Sequence, residues 1–467
     1  MKTKQIIALA LCAVLSLLTP CTAFANSAPK YWSGADSYGA IIADAECPVV
    51  VESELLTFDI PDFPKKNYSN KEDYLAYKAS VTARYNFYNP ADYTVTAKLE
   101  FPFGTAPEYS NGDDVSKYDI TINDSAIPKT VRHTLMRKGG GFKLAEDMPR
   151  ITDGYKKDSF FAPNLPVTKY VYEIADYDEN YKDACVAFDF RVLFDRKVLF
   201  KEMDGIVSRV DSCRLSRSAR RSDNTLTLYV FGRKFDAPPK WKFYKDRNCN
   251  NGEEISGSVN LLSADEMTFM EFAMSEYPEN SYILESDWYN AMVDELNFSG
   301  IERYNCIIRY SRIFNLKSCL LRWYEYEITL APGERIVNSV TAPIYPDIDE
   351  DWKPPVYKYT YLLSPAQTWT DFGSLDIVIN TPFYLIDNKD FQKTETGYRL
   401  SLDGLPDGEL EFSLSSSKKP ARDNSWFAMV FALFCYFAIS LLELVVLVLL
   451  IGGVVVLICR KKRKNVN

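Results

Sequence analysis

The run from Trp426 to Cys459 constrains this chain more than any other stretch: 34 residues, almost all apolar, with Glu443 as their only carboxylate. Arg460, Lys461, Lys462, Arg463 and Lys464 follow at once. A bilayer is crossed by about 20 apolar residues, so the run predicts a transmembrane helix over 426–459. Cationic flanks stay on the cytoplasmic side. The basic tail 460–467 is therefore expected inside, and the chain ahead of the span, with a polar tether at 415–425, outside. Glu443 is costly in a bilayer if charged, which favours protonation, contact with a second membrane protein, or a place near the headgroups.

The N-terminus carries the matching signal. Lys2 and Lys4 precede an apolar run from Ile6 to Leu18 that ends in Ala23-Phe24-Ala25, the three parts of a cleavable secretory signal. Cleavage is expected after Ala25. The expected location is the cell membrane, single-pass, with the N-terminal ectodomain outside.

Between the two apolar ends, 26–424 exceeds what one compact core usually holds, so two or more domains are expected. The net charge of −9 includes the basic tail, so the ectodomain is more acidic still. That excludes nucleic acid as a main partner. Six cysteines, Cys47, Cys185, Cys213, Cys249, Cys306 and Cys319, lie in the ectodomain. They allow three disulfides in fifteen pairings, with buried free thiols as the alternative.

The ectodomain reads as short strands punctuated by Pro, Gly and Asn. Ser80 to Tyr88 and Tyr93 to Phe101 alternate apolar with polar residues on either side of Asn89-Pro90-Ala91-Asp92, which predicts a hairpin. Ser263 with Glu266 matches a capping box ahead of a helix over 267–277. Ser286 is expected to cap a second helix, with Trp288, Met292 and Leu296 on one face. Seven candidate strands follow between Trp323 and Leu414. The expected fold is mainly β: two β-sandwich-like blocks, 26–262 and 322–414, with a helical insertion at 263–321, plus one C-terminal transmembrane helix.

The segment Cys47-Pro48-Val49-Val50-Val51-Glu52-Ser53-Glu54, the Tyr85, Phe87, Asn89 pattern and Phe101-Pro102-Phe103-Gly104 resemble uncharacterised exported surface proteins of clostridia-like Gram-positive bacteria. Trp323 to Glu327, Ala342 to Pro346 and Phe372 to Asp376 are similar to that group too. The resemblance implies a membrane-anchored bacterial surface protein and carries no activity.

His133 is the only histidine, which excludes His-rich metal sites and leaves any Ser-His-Asp or Cys-His arrangement to this one residue. Gly139 to Gly141 lack the context of a phosphate loop. Asp347, Asp349 and Asp351 alternate as a calcium loop begins, yet Trp352 and Lys358 stand where glycine and glutamate are needed. A looser metal site competes there with a solvated acidic loop. Trp241, Tyr244, Trp323 and Tyr326 form two aromatic clusters that suit either a core or a ligand platform. Arg214, Arg217, Arg220 and Arg221 suggest a basic patch on a helix face or loop. No cofactor is expected. The sequence favours a non-enzymatic surface protein that binds the lipid bilayer and a cell-wall polymer or another membrane protein. Its rivals are a complex subunit paired through its span and a wall hydrolase using paired carboxylates.

Overall fold

The structure is a computed structural model, and it describes residues 47–422 apart from 65–70, 106–116, 137–147, 221–222, 248, 250–251, 280 and 387–389, together with 31–32, 37–38 and 41–42. The signal with Ala25, the span 426–459 with Glu443, the basic tail, Gly139 to Gly141 and Arg221 lie outside the described residues. Among those described, no helix is long and apolar enough to cross a membrane.

The fold is mainly β with several sheets, but the two blocks expected at 26–262 and 322–414 are not separate sandwiches. Val50–Asp59 and Ser80–Tyr88 lie at the centre of an eight-stranded sheet, between Phe372–Asn380 on one side and Arg335–Pro343 on the other. Facing it are a four-stranded sheet built on Val95–Thr105 and Leu320–Leu330, and a six-stranded sheet containing Asp347–Asp349, Val356–Leu362 and Leu410–Ser415. One core joins all three. Strands from both ends of the ectodomain thus share one sandwich. The boundaries 26–262 and 322–414 do not separate two units; residues 148–319 form a second module inserted into the first.

The expected hairpin across Asn89 is also corrected. Ser80–Tyr88 and Val95–Thr105 do not pair with each other; they belong to facing sheets. Both strands alternate, with Val81, Ala83, Tyr85 and Phe87 buried in one and Val95, Ala97, Leu99 and Phe101 in the other. Each face needs a cover, and the two sheets cover one another, burying about 1.5–3 kcal/mol per large side chain. Leu320–Leu330 and Arg335–Pro343 cross between the same two sheets through Pro332-Gly333, where Gly333 takes the positive φ of 69° that the turn requires.

Asn89 locks the two crossings together. Its backbone N–H donates to the Glu334 carbonyl at 3.0 Å, and its carbonyl accepts from Gly333 N–H at 3.0 Å. Its buried side-chain amide donates to the carbonyls of Tyr93, Leu330 and Ala331 at 2.9, 3.1 and 3.1 Å. Asn89→Asp removes those donors while keeping the shape. It is expected to cost about 2–4 kcal/mol, read as a lower denaturant midpoint with an unchanged m-value.

The inserted module has three layers. A five-stranded sheet centred on Pro166–Tyr177 and Thr225–Gly232 packs one face on a second five-stranded sheet, centred on Ser212–Ser218 and Cys185–Arg191. Its other face carries the helices Phe269–Ser275 and Glu285–Ser299. Trp288, Met292 and Leu296 are buried there as the periodicity predicts. The caps differ. Ser263 and Glu266 lie in the strand Gly257–Thr268, and the capping box is formed by Thr268 with Glu271; the second helix has Leu284 at its N-cap and no side-chain cap.

Candidate functional site

The outward face of the six-stranded sheet holds a cleft of about 510 Å³, within the range of small-ligand sites. Strand register builds its floor. Asp347 lies opposite Lys358, Lys358 opposite Ser413, and Ser413 opposite Ile386, with Asp349 and Val356 in the next row. These positions point outward because Ile348, Tyr359, Phe412 and Leu414 turn inward to the core.

The wall is the chain's own return. After Ser415 the backbone passes Lys418, Lys419 and Pro420 along the cleft and pairs Ala421–Arg422 with Trp352–Lys353. The expected tether is therefore a strap fastened across the sheet. Trp352 forms the other wall, oriented by its indole N–H donating to Asp349 Oδ2 at 3.1 Å. The cleft thus places Asp347 and Asp349 opposite Lys358, Lys418 and Lys419, beside one aromatic ring. Lys358 is also paired with Glu411 at 2.8 Å, and Lys418 lies over the Tyr384 ring at 5.5 Å.

Asp347, Asp349 and Asp351 do not converge as a metal site. Asp349 Oδ1 accepts the Asp351 backbone N–H at 3.0 Å, so Asp349 closes its own turn, and among the described residues no group of three metal-ligating side chains forms. The aromatic platforms are corrected as well. Trp323 is fully buried, with its indole N–H on the Thr134 hydroxyl at 2.8 Å. Tyr326 is buried and bonded to Asn338, and Tyr244 is buried beneath the Arg214 guanidinium. Trp241 is half-buried, edge-on to Phe188. Three positions apart, the rings of each pair lie on opposite faces of their strand, and both faces are covered.

Of the arginine patch, Arg214 and Arg217 lie in the strand Ser212–Ser218, where Arg214 pairs with Asp189 and Arg217 donates to the carbonyls of Asp223 and Thr225, while Arg220 is exposed beyond it. His133 is buried, and among the described residues neither ring nitrogen has a hydrogen-bond partner. Burial, then Arg322 and Arg132, lower its pKa to about 3.

The sequence reading missed the junction of the two modules. Arg132, 4% exposed, donates to Asp287 at 3.1–3.3 Å, to the Thr152 carbonyl and Glu325 at 2.8 Å, and to Asp153 at 3.3 Å. Asp287 also accepts the His133 backbone N–H at 2.8 Å. Glu100, opposite Glu325 in the sheet, is buried and pushed up to about 9, first by desolvation and then by Glu325. Glu54 is buried in the sandwich, and desolvation, opposed by the Tyr85 hydroxyl, raises it to about 8. A second cleft, about 290 Å³, lies beside Arg150, Lys156 and Asp294, with Lys156 and Asp294 paired to each other.

No protein-family model matches the chain, and no curated protein matches it. Among solved structures it is similar to a candidate nutrient binding protein from Legionella pneumophila subsp. pneumophila, with 10% sequence identity over 83% of this chain and 72% of that one. The TM-score is 0.29, a likeness too slight to bear on what this chain does.

Proposed function

We propose that this chain is a non-enzymatic binding protein of the bacterial cell surface, exported by its N-terminal signal, anchored by the span 426–459 and holding a small ligand in the strapped cleft. The observation that carries the reading is the cleft's make-up: carboxylates on one strand, three lysines facing them, and a fixed indole wall. Charges of both signs around one ring suit a zwitterion such as a short peptide with free ends. The strap ends at Arg422, a few residues ahead of Trp426, so the cleft faces the membrane-proximal side in this reading. Glu443 then suits contact with a second membrane protein.

Paired carboxylates for hydrolysis find less support. Glu100 and Glu325 adjoin one another, yet Glu100 is enclosed and Glu325 is engaged by Arg132 and Lys98. Asp349 has both oxygens occupied as acceptors.

Titration of the full-length protein in nanodiscs with alanine tripeptides tests the proposal. Binding is expected for the tripeptide with free ends and to weaken at least tenfold when either end is capped, or in Lys418→Ala/Lys419→Ala. Equal binding of capped and free peptides, or no binding by wild type at millimolar concentration, would contradict it.

A further inference from the structure

We propose that Cys213 and Cys306 form a second disulfide, fastening the loop 300–307 to the strand pair Gly205–Ser208 and Ser212–Ser218 of the inserted module. Both cysteines, free thiols in this structure, are fully buried in one cluster of the core between the two five-stranded sheets, and burial pushes both thiols up, with Cys213 raising Cys306 further. The backbone brings the two segments together independently of the sulfurs. Arg303 donates to the Val210 carbonyl at 3.5 Å, at the turn between those strands. Ile301 bridges Ile307 to close the loop at its base, and Cys306 accepts the Val198 N–H at 2.8 Å.

The loop needs such a fastening. Glu302, Tyr304 and Asn305 sit at φ of 67°, 61° and 51°, a left-handed region that residues with side chains hold only where their surroundings dictate it. The same sheet already carries a bridge, Cys185–Cys249. An environment that oxidises one pair serves the other. Cys47 lies in the core of the split sandwich and Cys319 among the helices, which leaves Cys213 and Cys306 as the two that share a core.

The chemistry is thiol–disulfide exchange. The Cys213 thiolate attacks the disulfide of a thiol oxidant on the export side, releasing one of its sulfurs as a thiol. The Cys306 thiolate then displaces the other. One Sγ–Sγ bond forms here, the oxidant's bond is reduced to a dithiol, and two protons leave the cysteines and end on it. Since neither sulfur is reachable once the core has closed, the bond forms while the module folds.

Full-length protein from the membranes of an exporting host, denatured in alkylating reagent without reductant and then digested, gives a direct reading by mass spectrometry. The expected result is a linked peptide pair containing Cys213 and Cys306 beside the Cys185–Cys249 pair, with alkyl groups on Cys47 and Cys319. Alkylation of Cys213 and Cys306 in that unreduced sample, or linkage of either to another cysteine, would overturn the proposal.

Discussion

Replacing Arg132 with methionine is expected to cost about 3–5 kcal/mol, the range seen when one partner of a buried ion pair is removed and the other stays buried. Arg132 and Asp287 are both buried at the junction of the modules, so the carboxylate left behind stays largely desolvated. Asp287 would keep the His133 backbone N–H but lose its countercharge. Removing both charges together, in Arg132→Met/Asp287→Leu, should recover more than half of the loss, because the desolvation of Asp287 disappears with its partner. Urea unfolding of wild type and both variants measures this directly. A double variant as unstable as the single one would mean that the pair itself, and not the orphaned charge, sets the cost.

The second large effect is on pH. Glu54 and Glu100 titrate near 4.5 when unfolded and at about 8 and about 9 when folded. Between those values the unfolded chain is ionised and the folded one is not, so rising pH favours unfolding by about 1.4 kcal/mol per pH unit for each group. His133 works the other way: with a folded value of about 3 against 6.5 unfolded, it loses stability as pH falls below 6.5. The signs combine to a stability maximum near pH 4.5 and the steepest decline around pH 7, about 2.2 kcal/mol per unit. Glu54→Gln should halve that slope and raise stability at pH 7 by about 3 kcal/mol. Denaturant midpoints from pH 5 to 8 check both; a flat wild-type profile would show that water reaches these carboxyls.

The strands were legible in the sequence because alternation is a local property. Val81 to Phe87 and Val95 to Phe101 show it without ambiguity, and the observed strands cover them. Partner choice was not legible. Asn89-Pro90 reads as a hairpin turn, but whether two alternating strands pair edge to edge or lie face to face depends on what covers their apolar sides, here residues some 240 positions away. The same non-local pairing hid the inserted module. Two helix starts fit the capping pattern, and Thr268 prevailed over Ser263 because the strand Gly257–Thr268 continues its ladder with Pro166–Tyr177 up to that point.

At the candidate site, Asp347 and Asp349 were visible as residues with the wrong chemistry attached. Their partners Lys358, Ser413 and Lys418 come together only through register and the returning strap. The alternation of Tyr357, Tyr359 and Tyr361 with Val356 and Lys358 was the available signal for an outward polar face. Arg132 carried no such signal, since a buried guanidinium in the strand Thr130–Leu135 depends on a helix more than 150 residues later in the chain.

Hydrogen exchange on the full-length protein, with and without the free-ended tripeptide, tests the strapped cleft most directly. Slower exchange confined to 347–358 and 410–422 is the expected result. Slower exchange at the inserted module instead, or no change anywhere at saturating peptide, would contradict a ligand held between the sheet and its strap.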